Sequence, residues 1–414
     1  MKCLILVGGY GTRLRPLTLS MPKSLVPFCN MPIVEHQIKA AAAAGVTHVI
    51  LAVGYQPGEM LESLAELEER YSIRITCSIE KSPLGTAGPL HLAREELVSD
   101  PEPFFVFNSD VICEFPLQEM LAFHRSHGGL GTLCVTPVTE PSKYGVVQHD
   151  SGKISAFVEK PQVYVGNEIN AGLYLLSKSV VDRVGPKFMM FEKDVFPQMA
   201  SEGKLFCYPL KGYWADIGQP VDYLKGMVLH LEALEERKKF EIPKPSVVSD
   251  EQIDSEHVSS VTGCSPTRKL SPFKAQRITL SHDYKKAESP VISPTIIPQT
   301  YTIIPPVVIH PTACIGTGAV VGPHVTLGPG SQVGDFVRVK NSAIFDNVKI
   351  GDGAWVDGSI IGWKSKIGKW AKLGQGTVLG ENVEISEGVF LNGIFVLPHK
   401  SIKDNILEKA KVIM

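Results

Sequence analysis

The chain has 414 residues, eight cysteines and a formal net charge of −2 at pH 7. That length suits two or three domains, and so small a charge removes any bulk drive toward nucleic acid or an anionic membrane surface. The cysteines (3, 29, 77, 113, 134, 207, 264, 314) are scattered without metal-ligand spacing and read as reduced, mostly buried thiols of a cytoplasmic protein.

The chain opens on "CLILV" (3–7), a short apolar run that stops at Gly8 and Gly9. It is too short for a secretory leader or a membrane span and reads as a first strand. "IVEHQIKAAAAAG" (33–45) predicts a helix with a glycine stop, and "HVILAV" (48–53) the next strand. A helix over 58–71, a strand over 73–78, a helix over 86–97 and a strand over 104–110 continue the alternation. Such an order predicts a parallel α/β sheet with ligands at the carboxyl ends of its strands. Over 131–177 the rhythm changes to strands joined by short turns, which makes the sheet mixed. A helix over 222–239 closes this part.

Residues 241–304 are polar and rich in serine and proline, the composition of a flexible linker or inserted loop. Ser265, Ser271, Ser289 and Ser293 each precede a proline and are candidate phosphorylation sites by composition.

An internal repeat then takes over. Aliphatic residues recur every six positions at Ile309, Ile315, Val321, Leu327, Val333 and Val339. The register slips near Ile344 and at Ile361, then resumes through Ile367, Leu373, Leu379, Ile385 and Leu391. One inward aliphatic per six-residue side describes a parallel β-helix of triangular section, four to five coils long, with glycines where a Cβ would crowd a corner. Such a domain is first a scaffold and an assembly surface.

The residues that carry chemistry cluster at predicted strand ends. Gly8, Gly9 and Gly11 let backbone N–H groups approach a ligand, and Arg13, Arg15 and Lys23 add three positive charges, a combination suited to phosphate oxygens. This is neither the dinucleotide fingerprint nor the Gly-Lys-Thr triphosphate loop. Asp110 in "FVFNSDVI" and Asp216 in "GYWADIGQP" are isolated carboxylates; they suit one or two Mg²⁺ ions or, equally, turns and helix caps. Glu159 and Lys160 in "FVEKP", Asn170 in "EINAG" and Gly145 in "SKYG" suit a sugar phosphate, or are ordinary strand ends.

The motifs taken together resemble a known family. "GGYGTRLRPLT" with Pro22-Lys23, "LGTA" (84–87), "NSD" (108–110), "EKP" (159–161), "NAG" (170–172) and "DIG" (216–218) follow the order seen in sugar-nucleotide pyrophosphorylases. "FFVFNSDVIC", "EPSKYGVV", "DIGQP" and "VLPHKSI" look like the catalytic β type of eukaryotic mannose-1-phosphate guanylyltransferases. The likeness covers 1–240 and about 305–414. It implies a Rossmann-like α/β nucleotidyltransferase domain with a mixed sheet (1–240), a linker (241–304) and a left-handed parallel β-helix of hexapeptide repeats (305–414). It also implies that GTP and mannose 1-phosphate give GDP-mannose and pyrophosphate with Mg²⁺, held by Asp110 and Asp216.

On the same footing, Arg13, Lys23, Lys160, Asp110 and Asp216 are the implied catalytic set. Leu6, Gly8, Gly9, Gly11, Thr12, Glu80, Pro83, Gly85 and Asn108 are implied at the nucleotide, and Gly145, Glu159 and Asn170 at the sugar. Glu80 stands where relatives that use uridine or thymidine nucleotides carry an amide, and a carboxylate accepts from guanine N1–H and N2–H₂. A homo-oligomer, or a complex with a regulatory paralogue, is the implied assembly, with no nucleic acid and no membrane. Three departures stand out: Met31 replaces a lysine, Lys81-Ser82 an acidic pair, and 246–304 a short lead-in. Three other functions stay open: a noncatalytic regulatory subunit, an acyltransferase using His310 or His324, and an enzyme for glucose or N-acetylglucosamine 1-phosphate.

Overall fold

The computed structural model describes residues 1–9, 11–54, 58–241 and 301–414. Ser265, Ser271, Ser289, Ser293 and Cys264 lie outside the described residues.

Nine strands form the central sheet. In spatial order they are Arg74–Ile79, His48–Val53, Lys2–Leu6, Phe104–Asn108, Glu168–Leu176, Gly131–Pro137, Leu205–Pro209, Lys153–Glu159 and Gly145–Asp150. The first four run parallel. Glu168–Leu176 runs antiparallel to both of its main neighbours, so the sheet is mixed, as the change of rhythm after residue 131 predicts.

The three inner parallel strands are almost wholly apolar because layers cover both faces, whereas the edge strand Arg74–Ile79 has no buried residue. Alternate residues serve the two sides. Leu4, Ile50 and Val106 enter one core with Tyr174, Phe191 and Phe196. Cys3, Ile5, Val49 and Phe105 enter the other, under Val34, Ile38 and Ala41 of the helix Ile33–Ala43.

Two regions differ from the sequence reading. The helix expected over 86–97 is two short helices, Pro89–Leu92 and Arg94–Val98. The Met189 carbonyl accepts from the N–H groups of Ala87 and Gly88, so a tertiary contact takes donors that a longer helix would leave free. The helix Leu117–His127 and the strand Leu205–Pro209 are absent from that reading, although Leu117 and Met120 at i, i+3 are buried.

From Thr302 the chain coils into three parallel sheets of six, seven and six strands. This exceeds the expected four to five coils, because the repeat runs on past Leu391 to Val412–Ile413. Register partners stand 18 residues apart in full coils, as for Val320 and Arg338. They stand 17 apart where the aliphatic period slips, as for Val325 and Ser342. Inward side chains stack coil on coil: Leu327 on Ile344, Ile344 on Ile361, Ile361 on Leu379 and Leu379 on Val396, all unexposed.

The left-handed corners are shared about evenly between glycines and other residues, among them Asn341, Asn347 and Trp370. Many repeat glycines are needed for close approach instead: a Cβ on Gly362 would lie 2.5 Å from the Gly380 carbonyl oxygen of the next coil. Residues before 240 and after 298 form one compact unit. The helix Pro220–Glu241 joins its parts: Tyr223 meets Phe345 at 6.4 Å between ring centres, and Glu232 pairs with His324 at 3.2 Å.

The stack predicts its own sensitivity. Ile361→Ala leaves a void between two coils and is expected to cost about 2–5 kcal/mol. Urea unfolding of the full chain would show it, and an unchanged midpoint would mean that the stack does not hold the coils.

Candidate active site

The carboxyl ends of the parallel strands bring the expected groups to one edge. Leu6 ends the first strand, and the loop after it carries Gly8 and Gly9, both exposed. Gly9 sits at φ +131 and Gly11 at φ +57, conformations that favour glycine. Lys23 begins a single turn at the far end of the loop. Thr12, Arg15 and Pro83 are exposed, and of the three loop cations Arg13 and Lys23 pair with Asp110.

Lys23 Nζ lies 2.8 Å from Asp110 Oδ2, and an Arg13 guanidinium nitrogen lies 3.7 Å from the same oxygen. Asp216 reaches this point because its strand, Trp214–Asp216, runs antiparallel to Val111–Cys113 with Asp216 opposite Val111. The Ile217 N–H then donates to the Asp110 carbonyl at 2.9 Å. A Cβ on Gly218 would stand 2.9 Å from Asp216 Oδ1, 3.1 Å from Arg13 and 3.4 Å from Lys23 Nζ, so glycine there leaves room for all three.

Burial, then the charge of Asp110, pushes the Asp216 carboxyl above its ordinary value. The two carboxylates and two cations balance in formal charge, yet burial and the neighbouring carboxylate still hold Asp216 raised. Among the described residues, no set of three or more His, Cys, Asp or Glu side chains is placed to hold a metal. A pair of carboxylates nonetheless suits Mg²⁺, which often takes one or two of them and completes its shell with water and phosphate oxygens.

A second group lies beside the first. Glu159 pairs in register with Gly145, where a Cβ would stand 2.5 Å from the Phe157 ring and 3.0 Å from Glu159 Oε2. Lys160, at φ +44, turns out of the sheet and is largely exposed, 3.4 Å from Glu159 Oε1. Asn170 and Gly172 stand in an irregular stretch of their strand: Asn170 faces Val135, yet Tyr174 faces Leu133. There Asn170 donates to the Tyr174 hydroxyl at 2.9 Å and accepts from the Gly172 N–H at 3.0 Å. Asn108 contacts the same hydroxyl from two residues before Asp110, so both halves of the site share one polar seam.

Glu80 stands beside the glycine loop. Its Oε2 accepts from the Leu84 N–H at 3.1 Å, and its Oε1 would stand 3.0 Å from a Cβ on Gly8. Burial raises its carboxyl. Gly85, at φ +77, passes so close to the Met189 carbonyl that a Cβ would collide with it.

Two residues escaped the sequence reading. Glu192, half-buried and raised by burial, accepts from Thr86 at 2.7 Å and feels the charges of Glu159 and Lys160. Tyr144, pushed up to about 12 by burial and then by Asp216, packs on Trp214 at 5.5 Å between the two groups. Only its place beside Gly145 in "SKYG" marked Tyr144, and no pattern marked Glu192. His310 and His324 bond to Thr312 and to Glu232 with Asn341, far in sequence from these groups.

Comparison with known proteins adds independent findings. Residues 2–232 match the family described as nucleotidyl transferase, and residues 303–413 match the GMPPB C-terminal domain. Over the whole of both chains, the sequence is 44% identical to mannose-1-phosphate guanyltransferase of Candida albicans. It is 45% identical, again end to end, to mannose-1-phosphate guanyltransferase beta-B of Xenopus laevis and to mannose-1-phosphate guanylyltransferase 1 of Arabidopsis thaliana. A solved Bacillus anthracis structure named for glucose-1-phosphate thymidylyltransferase, in complex with a sucrose, shares the fold at 21% identity and a TM-score of 0.51. It covers 55% of this chain and 93% of its own.

Proposed function

The chain belongs to the nucleotidyl transferase family, among the mannose-1-phosphate guanylyltransferases, and we propose that it converts GTP and mannose 1-phosphate to GDP-mannose and pyrophosphate. A phosphate oxygen of mannose 1-phosphate attacks the α-phosphorus, the bond from that phosphorus to the β-phosphate oxygen breaks, and pyrophosphate leaves in line. No protein nucleophile takes part, so the side chains act by positioning and by charge.

The observation that carries this reading is the convergence of Arg13, Lys23, Asp110 and Asp216 around Gly218. Arg13, 60% exposed, is free to move onto a triphosphate, and Lys23 exchanges its carboxylate for phosphate oxygens. Asp110 and Asp216 hold Mg²⁺, which neutralises charge on the phosphates when bound. Gly8 and Gly9 approach the nucleotide, with Leu6, Gly11, Thr12, Pro83, Gly85 and Asn108 around it. Lys160 holds the sugar phosphate, while Glu159, Asn170 and Gly145 meet the sugar hydroxyls, with Glu192 beside them. In this reading residues 1–240 are the catalytic domain, 241–304 a connector and 305–414 the β-helix domain.

Seven free cysteines among the described residues support a reducing compartment, and the cytoplasm is the location in this reading. No described helix is long and apolar enough to cross a membrane. Exposed Phe336 and Trp370 on the coils support a homo-oligomer, with a regulatory paralogue as the alternative partner. Sedimentation equilibrium giving only a monomer mass would remove the first.

The activity is tested by pyrophosphate release with Mg²⁺ across GTP, ATP, UTP and dTTP against mannose, glucose and N-acetylglucosamine 1-phosphates. GTP with mannose 1-phosphate is expected to lead; a different leading pair overturns the substrate assignment. Base choice has its own test. Glu80→Gln removes an acceptor from the guanine edge and is expected to lower the GTP-to-UTP ratio of kcat/KM about tenfold, by analogy with base-edge contacts worth about 1–3 kcal/mol. A ratio equal to that of the unaltered chain would exclude Glu80 as the reader of the base.

A further inference from the structure

Between Arg13 and Lys23 the phosphate loop contains no long element. It has only single turns, Thr12–Leu14, Leu17–Leu19 and Lys23–Leu25. Such a segment fixes the cations it carries only if something holds its back, because each residue otherwise keeps its backbone freedom. Its inward side chains Leu14 and Leu17, and Val26 just beyond it, are unexposed. They share one apolar cluster with Ala343, Phe345, Ile360, Trp363 and Val378, all from the coils.

An aromatic row crosses between the two parts. Trp363 lies 4.8 Å from Phe345, Phe345 6.4 Å from Tyr223, and Tyr223 5.2 Å from Phe28, measured between ring centres. The Tyr223 hydroxyl donates to the Pro27 carbonyl, four residues after Lys23. Tyr223 also stands in the first turns of the helix that follows Asp216.

A polar tie runs beside the row: Asn30, at φ +65, donates to the Leu327 carbonyl of the coils at 2.7 Å.

We propose that the β-helix forms a wall of the nucleotide site, with Trp363 and Asn30 as positioning residues that hold the loop carrying Arg13 and Lys23 in place for a triphosphate. Neither residue touches substrate. The proposal rests on the functional reading above, in which this loop receives GTP. It makes a selective demand. Loosening the wall weakens the nucleotide and spares the sugar phosphate, whose partners Glu159, Lys160 and Asn170 stand on or beside other strands.

Direct titration of the full chain with GTP and Mg²⁺, paired with KM values for both substrates, tests it. Failure of the unaltered chain to bind GTP would overturn the functional reading and this proposal together. With GTP bound, Trp363→Ala is expected to raise its Kd and KM about tenfold. Asn30→Gly keeps the backbone conformation, removes the bond to Leu327 and is expected to raise them about fivefold, the value of one hydrogen bond. The KM for mannose 1-phosphate should stay within about twofold. Tyr223→Phe, which removes the hydroxyl that holds the Pro27 carbonyl, should act in the same direction. Trp363→Ala empties a buried site and can unfold the coils; in that event Asn30→Gly and Tyr223→Phe decide. An unchanged GTP Kd in both of these, or an equal rise in both KM values, overturns the proposal.

Discussion

Two carboxylates brought together at the end of a parallel sheet set the terms for everything around them. Asp110 lies in the turn after Phe104–Asn108, a strand held between neighbours on both sides and packed through apolar layers. Asp216 reaches it through a two-stranded ribbon, and the meeting is unfavourable unless cations attend it. Lys23 at 2.8 Å and Arg13 at 3.7 Å supply that charge. Loop and carboxylates therefore form one electrostatic unit.

The remaining features serve that unit by fixing backbone. Gln37, buried in the first helix, donates to the carbonyls of Asn108 and Val111 and so spans the turn that presents Asp110. Asn108 and Asn170 meet at the Tyr174 hydroxyl and join the carboxylate turn to the group around Glu159 and Gly145. Met189 braces the turn at Gly85. Each is a contact between segments far apart in sequence, and each removes freedom from a loop rather than adding a reactive group.

Much of this was legible in the residues. Gly8, Asp110, Glu159 and Asp216 could be placed at strand ends because apolar runs stop there and polar groups follow. The six-residue period with its slips foretold the coils and where they shorten. Other features left no local trace. Glu192 lies in a segment without amphipathic pattern, and its role depends on Thr86, far away in the chain. The bond of the Met189 carbonyl to the N–H groups of Ala87 and Gly88 is likewise a contact that no local pattern announces. The offset of Asp110's charge was expected from a metal or a proton, and Lys23 shares in it.

By itself the sequence determined the two architectures, the family and the identity of most charged groups at the site. Periodicity, glycine stops and ordered motifs are local or repetitive, and they survive reading in one dimension. Only the tertiary structure decided which cation faces which carboxylate, that Arg15 stays outside while Arg13 enters, and that coils beyond residue 340 back a loop that ends at residue 25. Those outcomes depend on distances between segments hundreds of residues apart. Such distances are fixed by the packing of whole layers, and no local pattern encodes them.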